Sequence, residues 1–572
     1  MKTCKIFFNR HLFPVLFCIS FLLISCSSQP VQEHQYGVIA KNGMVVSAHP
    51  EASRIGREIL QKGGNAIDAA CAVELALAVS YPAAGNIGGG GFMVMRFEDG
   101  TIASIDYREK APEGASKNMY LDENNNVIPG LSTDSHLAVG VPGTVMGIYT
   151  AHKKFGKLDF KEIVQPSIDL AAKGFPVTKS QASSFNYYKE IFTERNDYPI
   201  AFVKEEEWVE GDILQQPDLA HTLELIRDRG ADGFYSGETA QKLVEQMEKG
   251  NGLISAADLE NYNAVWREPI TGNYKDYKLI SMPPPSSGGV ALLQLLGMTE
   301  PYSVQNMGFL NAQSIHLMVE AEKRAYADRA DFLGDPDHYP VPVEGLIDKE
   351  YIKGRMADYS DERATPSEEI SHGNPISGES EETTHYSIVD PFGNAVAGTT
   401  TLNRGYGSKI VVKGAGFFLN NEMDDFSSKP GFPNSYGLVG GEANSIQAEK
   451  RMLSSMTPTI LEKDNELFMV LGSPGGSTII TSVFQTILNV TDHNMSMQEA
   501  VSAARFHHQW LPDYISYEKN AFSDSLILVL EHMGHNFRER SSIGRVDAIL
   551  KRKDGSLEAG ADPRGDDTAD GF

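Results

Sequence analysis

Two threonines are the residues of this 572-residue chain best placed to do covalent chemistry. The other routes to a nucleophile fail on spacing. Gly472-Ser473-Pro474-Gly475-Gly476 and Pro285-Ser286-Ser287-Gly288-Gly289 do not make a Gly-x-Ser-x-Gly elbow. No His-Glu-x-x-His occurs, and the adjacent His507-His508 cannot put two metal ligands on one helix face, so a structural role is expected for that pair. A threonine hydroxyl is a poor nucleophile without a base, but its own α-amine can serve, with a reference pKa of about 7.7–8.0. Thr383 could use that base only after cleavage of the Glu382–Thr383 bond made it an N-terminus. Residues 361–382 suit such an event. They hold Pro366, Gly373, Pro375, Gly378 and seven acids against the single base Arg363, and read as a flexible linker. On residue chemistry alone, a Thr-Thr pair after a linker is usually of no consequence.

A nucleophile also needs elements that hold it. Residues 383–389 (TTHYSIV) read as a strand, Asp390-Pro391-Phe392-Gly393-Asn394 as a turn, and residues 395–402 as a second strand. The hairpin, centred near Phe392 and Gly393, would bring Thr401 beside Thr383. Upstream, residues 66–80 (AIDAACAVELALAVS) are apolar almost all round and too few to span a bilayer, which predicts a buried central helix. A glycine run at residues 85–91 and a strand at 92–97 follow. The order helix, glycines, strand is the reverse of a dinucleotide fingerprint, and no Lys-Ser/Thr completes a P-loop. These glycines are expected to serve close packing or a tight turn.

Composition bounds the rest. The formal charge of −26 would repel phosphate backbones, which argues against nucleic acid as a partner. Residues 1–25 read as a secretory signal, with Lys2, Lys5 and Arg10 before an apolar stretch. Leu23-Ile24-Ser25-Cys26 resembles a bacterial lipobox, so Cys26 is expected to be lipidated, giving an exported, periplasmic lipoprotein held at a membrane by its anchor alone. Removing residues 1–25 takes away three bases and no acid, so the charge becomes −29. Of the four cysteines, Cys4 and Cys18 go with the signal; Cys26 and Cys71 remain, and neither a disulfide nor a cysteine metal site is expected.

Many motifs in order resemble the γ-glutamyltransferase (γ-glutamyl transpeptidase) family of N-terminal-nucleophile hydrolases. They are residues 63–70 (GGNAIDAA), 85–92, 282–289 (MPPPSSGG), 321–335 (AEKRAYADRADFLGD), 383–387 (TTHYS), 419–426 (LNNEMDDF), 453–458 (LSSMTP), 472–477 (GSPGGS) and 505–512 (RFHHQWLP). The resemblance runs from about Gly37 to the end. It implies an α+β fold, a four-layer αββα sandwich, cut into a large chain of residues 26–382 and a small chain of residues 383–572 that stay together as a heterodimer. It implies Thr383 as the nucleophile of self-cleavage and turnover, Thr401 as the residue that orients it, and the amides of Gly475 and Gly476 as the oxyanion hole. Arg108, Ser454 and Ser455 would bind the substrate α-carboxylate, and Asn403, Glu422 and Asp425 its α-ammonium; many bacterial relatives carry Gln in place of Glu422. Residues 429–441 (KPGFPNSYGLVGG) resemble the family's lid loop, with Tyr436 as the gate. Glutathione would be the donor, water or an amino acid or dipeptide the acceptor, and no metal or organic cofactor is needed.

Taken singly, these residues have plainer readings: Arg108 as a surface ion pair, Ser454-Ser455 as a loop or cap, Glu422 and Asp425 as solvated acids. Two rival functions stand beside the family reading. A glutaryl or cephalosporin acylase on the same fold would leave Glu422 and Asp425 without an ammonium to hold. A non-catalytic lipoprotein that binds amino acids or peptides would remain one uncut chain.

Overall fold

The hairpin expected around Phe392 lies at the centre of a sheet. The computed structural model describes residues 34–371, 383–434 and 437–572. Cys26, Glu382 and Tyr436, and with them the signal, the lipidation site and the processing bond, lie outside the described residues. Residues 35–572 form one compact unit.

Two seven-stranded antiparallel sheets make its middle. Their strands, in chain order, are β1 (Ile39–Ala40), β2 (Met44–Ser47), β3 (Gly90–Arg96), β4 (Ile102–Tyr107), β5 (Val265–Arg267), β6 (Ile270–Tyr274), β7 (Tyr277–Ser281), β8 (Thr384–Val389), β9 (Ala395–Thr401), β10 (Thr459–Lys463), β11 (Glu466–Gly472), β12 (Asp547–Lys551), β13 (Leu557–Gly560) and β14 (Thr568–Gly571). One sheet runs β14-β2-β8-β9-β3-β4-β5 and the other β1-β13-β12-β11-β10-β7-β6. Both sheets mix strands from before and after residue 383. In the first sheet β2 is flanked by β14 and β8, and β9 pairs with β3. In the second, β1 pairs with β13 and β7 with β10.

The sheets pack face to face through one apolar cluster, with Val46, Phe92, Val94 and Ala397 from the first meeting Ile280, Ile460, Val470 and Ile549 from the second. Helices cover both outer faces, giving the four αββα layers expected. Against the first sheet lies α1 (Ala66–Ser80), in which every residue is buried. Its start is fixed by a reciprocal cap, Asn65 accepting from the Asp68 amide and Asp68 from the Asn65 amide. Against the second lie α2 (Gly288–Thr299), α3 (Ala312–Phe332) and α4 (Ile479–Thr491).

The register pairs Thr384 with Thr400, which leaves Thr383 and Thr401 opposite one another at the open end of the hairpin. At the closed end Asp390 organises the turn, accepting from the amides of Phe392 and Asn394. The glycine run is there for packing: a Cβ on Gly89 would sit 2.1 Å from the Thr401 carbonyl oxygen. Residues 361–371, read from composition as linker, are packed. The Ala364 amide donates to the Met533 carbonyl, the Ser367 amide to Asp513, and the Trp510 indole to the carbonyls of Ser367 and Ile370. Ala364 and Ile370 supply enough apolar surface, with these bonds, to seat a segment whose acids face outward.

Candidate active site

Thr383 is 4% exposed. It opens onto a cavity of about 20 Å³ shared with Thr401, Asn403, Arg108, Glu422, Asp425, Ser454, Ser455, Gly476 and Arg329. Nearly every residue nominated from the sequence that falls among the described residues is therefore on one wall or another of one small space. Gly475 is not itself on the wall but adjoins Gly476.

Each wall has its own scaffold. Thr401 Oγ1 accepts from the Asn403 amide at 2.7 Å, and Asn86 Nδ2 donates to the Thr401 carbonyl at 2.8 Å. The loop carrying Glu422 is held by Asn420, whose Nδ2 donates to the carbonyls of Gly88 and Gly140 while Oδ1 accepts from the amides of Gly140 and Glu422. Asn403 Nδ2 donates to the Asn421 carbonyl, so an ammonium would address its Oδ1. Gly475 adopts φ +131°, and Gly476 begins the 3-10 turn that leads into α4. Neither amide has an acceptor among the described residues, and both stand at the positive end of a helix, where an oxyanion is favoured.

Arg108, just beyond β4, is fully buried rather than a surface cation. Its guanidinium binds Glu422, Asp425 at 2.5 Å and Glu109 at 3.3 Å. Burial opposes its charge, but these three carboxylates outweigh it and hold its pKa above the ordinary value. The acids are themselves perturbed. Burial pushes Glu422 well above the usual carboxylate range and Glu109 up to about 7, with Arg108 pulling the other way in both. Glu109 Oε1 and Glu422 Oε2 are buried with no hydrogen-bond partner among the described residues. These are acceptors with capacity left, which is what an incoming ammonium needs.

Ser454 and Ser455 sit on a loop clamped by the proline-serine motif. The Ser454 amide donates to the Pro285 carbonyl, the Ser287 amide and hydroxyl both donate to the Ser454 carbonyl, and the Ser286 hydroxyl donates to the Met456 carbonyl. Two residues of the 429–441 segment reach the site. Leu438 lines the cavity and Asn434 Nδ2 reaches Asp425 at 3.3 Å, while Tyr436 is outside the described residues.

Two site residues went unassigned in the sequence. Glu109 follows Arg108 directly, and that adjacency was its only signal. Arg329, in the last turn of α3, donates through Nε to Ser287 Oγ at 2.9 Å and through Nη2 to Ser455 Oγ at 3.0 Å. It was visible only as one letter of a long motif.

A family model described as Gamma-glutamyltranspeptidase matches residues 52–572. The glutathione hydrolase proenzyme of Escherichia coli (strain K12) is 46% identical over 539 residues, which is 94% of this chain and 93% of that protein. Among solved structures, a cephalosporin acylase from Bacillus halodurans superimposes with a TM-score of 0.83 at 26% identity, covering 96% of this chain and 99% of that one. The gamma-glutamyltranspeptidase of Helicobacter pylori superimposes with a TM-score of 0.55 at 42% identity, covering 60% of this chain and 97% of that one.

Proposed function

The chain belongs to the gamma-glutamyltranspeptidase family, and on that premise we propose that it is a self-processing N-terminal-threonine enzyme that cleaves the γ-glutamyl amide of glutathione and related compounds. The single observation that carries the reading is the cavity that joins Thr383 to an ammonium-binding wall of acids and a carboxylate-binding wall of cation and hydroxyls.

Cleavage of the Glu382–Thr383 bond would free the Thr383 α-amine. That amine takes the proton from Thr383 Oγ as the oxygen attacks the γ-carbonyl carbon. The amides of Gly475 and Gly476 would receive the oxyanion, and Thr401 would fix the attacking hydroxyl. As the C–N bond breaks, the α-ammonium returns the proton to the departing amine and a γ-glutamyl ester remains on Thr383. Water, or the amine of an amino acid or dipeptide, then attacks the ester by the same route in reverse. Glu422 and Asp425, with Glu109 behind them, would hold the α-ammonium of the donor; Arg108, Ser454 and Ser455 its α-carboxylate.

Likeness to the Bacillus halodurans acylase favours a glutaryl-amidase reading as second choice. Against it, a glutaryl group has no ammonium to meet the unpartnered oxygens of Glu109 and Glu422. No helix among the described residues is long and apolar enough to cross a membrane. Lipidation at Cys26 and export to the periplasm are proposed from the leader sequence. Incorporation of labelled fatty acid into wild type, and its loss in Cys26→Ala, checks this.

The enzyme reading is tested by intact mass, N-terminal sequencing and glutamate release from glutathione. The expected result is two fragments, the smaller starting Thr383-Thr384-His385, with glutamate released. A wild-type chain that stays whole under native conditions and releases nothing would return the protein to the binding-lipoprotein alternative.

A further inference from the structure

The two arginines of the cavity are not equivalent. Arg108 faces three carboxylates at ion-pair distance. Arg329, also buried at 5% exposure, has no carboxylate within ion-pair distance among the described residues; Asp425 acts on it only from further away. Its nitrogens meet two serine hydroxyls, which carry no charge to offset it. A buried cation without a counter-ion is costly, and an anion supplied by a ligand relieves that cost.

The hydroxyls point to the same anion. Ser455 Oγ accepts from Arg329, and Ser454 Oγ accepts from the Met456 amide at 3.2 Å. With an acceptor lone pair already used in each, and no acceptor for either hydroxyl hydrogen among the described residues, both are set as donors at the cavity wall. A cation and two oriented O–H donors beside one space make a carboxylate-binding set.

We propose that Arg329 is a specificity-determining residue of this enzyme: it supplies the unneutralised positive charge that selects donors bearing an α-carboxylate, and it fixes Ser455 as a donor to that group. Arg108 is shared among Glu109, Glu422 and Asp425, so the charge it offers the α-carboxylate is partly offset, and Arg329 adds what it lacks. The assignment rests on the γ-glutamyl reading above and divides its recognition between two walls.

The test compares kcat/KM on three anilides in the full, processed enzyme. γ-Glutamyl-4-nitroanilide carries both head groups, glutaryl-4-nitroanilide only the carboxylate, and 4-aminobutyryl-4-nitroanilide only the ammonium. Arg329→Gln is expected to lose about 10- to 100-fold on the γ-glutamyl and glutaryl donors and less than about 3-fold on the aminobutyryl donor. Arg329→Lys, which keeps the charge, is expected to retain part of the γ-glutamyl activity that Arg329→Gln loses. Equal loss on all three donors would mean that Arg329 only braces the Ser287 and Ser455 loops, and would overturn the proposal, as would no loss on any. Should Arg329→Gln fail to process, the same three-donor pattern is read on Arg329→Lys. Failure of wild type to cleave γ-glutamyl-4-nitroanilide would instead strike the functional reading itself.

Discussion

Asp390 and Glu422 are buried carboxylates near opposite ends of one hairpin. At the closed end, Asp390 Oδ1 accepts from the amides of Phe392 and Asn394, and Oδ2 from the Ala66 amide and Asn394 Nδ2. Each oxygen is used twice, and the group ties the turn to the first residue of α1. At the open end, Glu422 and its neighbour Glu109 each keep a buried oxygen with no hydrogen-bond partner among the described residues, and burial pushes both above the ordinary carboxylate pKa. Among the described residues their ion-pair partner is Arg108. A carboxylate with every lone pair answered is structural; one left short, beside a cation it shares, is receptive to a ligand.

The contrast can be broken most sharply at the open end. Thr383→Ala should leave the chain uncut and lower turnover by on the order of 10⁴-fold or more, since nucleophile and base vanish together, while the melting temperature stays near that of the wild type. Asp425→Ala should cut kcat/KM on γ-glutamyl-4-nitroanilide by on the order of 10³-fold, because it removes one partner of a buried charge set. Self-processing should survive, as shown by the Thr383 N-terminus.

Glu74 on α1 sharpens the comparison, being neither saturated nor paired with a cation. The side chain is fully buried, and burial lifts its pKa from 4.5 to about 7, hydrogen bonding with the hydroxyls of Thr400 and Tyr386 countering only in part. Between those values the unfolded chain ionises and the folded chain must stay protonated, so wild-type stability falls as pH rises from 4.5 to about 7. Glu74→Gln removes that loss. Its stability relative to wild type should increase between pH 5 and pH 8 by on the order of 3 kcal/mol, read from denaturation at each pH. A constant difference would mean that Glu74 is ionised in the folded protein. The smallest effect is expected at the closed end: Asp390→Ala should cost about 2 kcal/mol of stability and leave kcat/KM within about twofold of wild type.

How far the sequence could be read follows the same division. The hairpin was legible because its turn residues and its alternation are local, and α1 because fifteen apolar-rich residues have no exposed face to explain. The roles proposed for Thr383, Glu422 and Ser455 rest on resemblance, since each depends on partners far along the chain. Arg329 was missed for a physical reason. On α3 every residue from Ser314 to Arg329 is buried, charged ones included, so no apolar stripe separates core from site. Its partners Ser287 and Ser455 lie 42 and 126 residues away. The packing of residues 361–371 was hidden likewise, because acidic composition says nothing about the anchoring carbonyls and amides of a backbone.

The mixing of strands from both sides of residue 383 has a last consequence for the proposed cut. β2 lies between β14 and β8, and β7 and β10 share an edge within the other sheet. Drawing the two pieces apart would strip ladders from both sheets at once, so neither product should exist as a folded body by itself. Dilution should not weaken their union, and mixing separately made pieces should not readily restore it. The protein would carry a broken backbone as a permanent state of a single fold, with assembly completed before the break rather than after it.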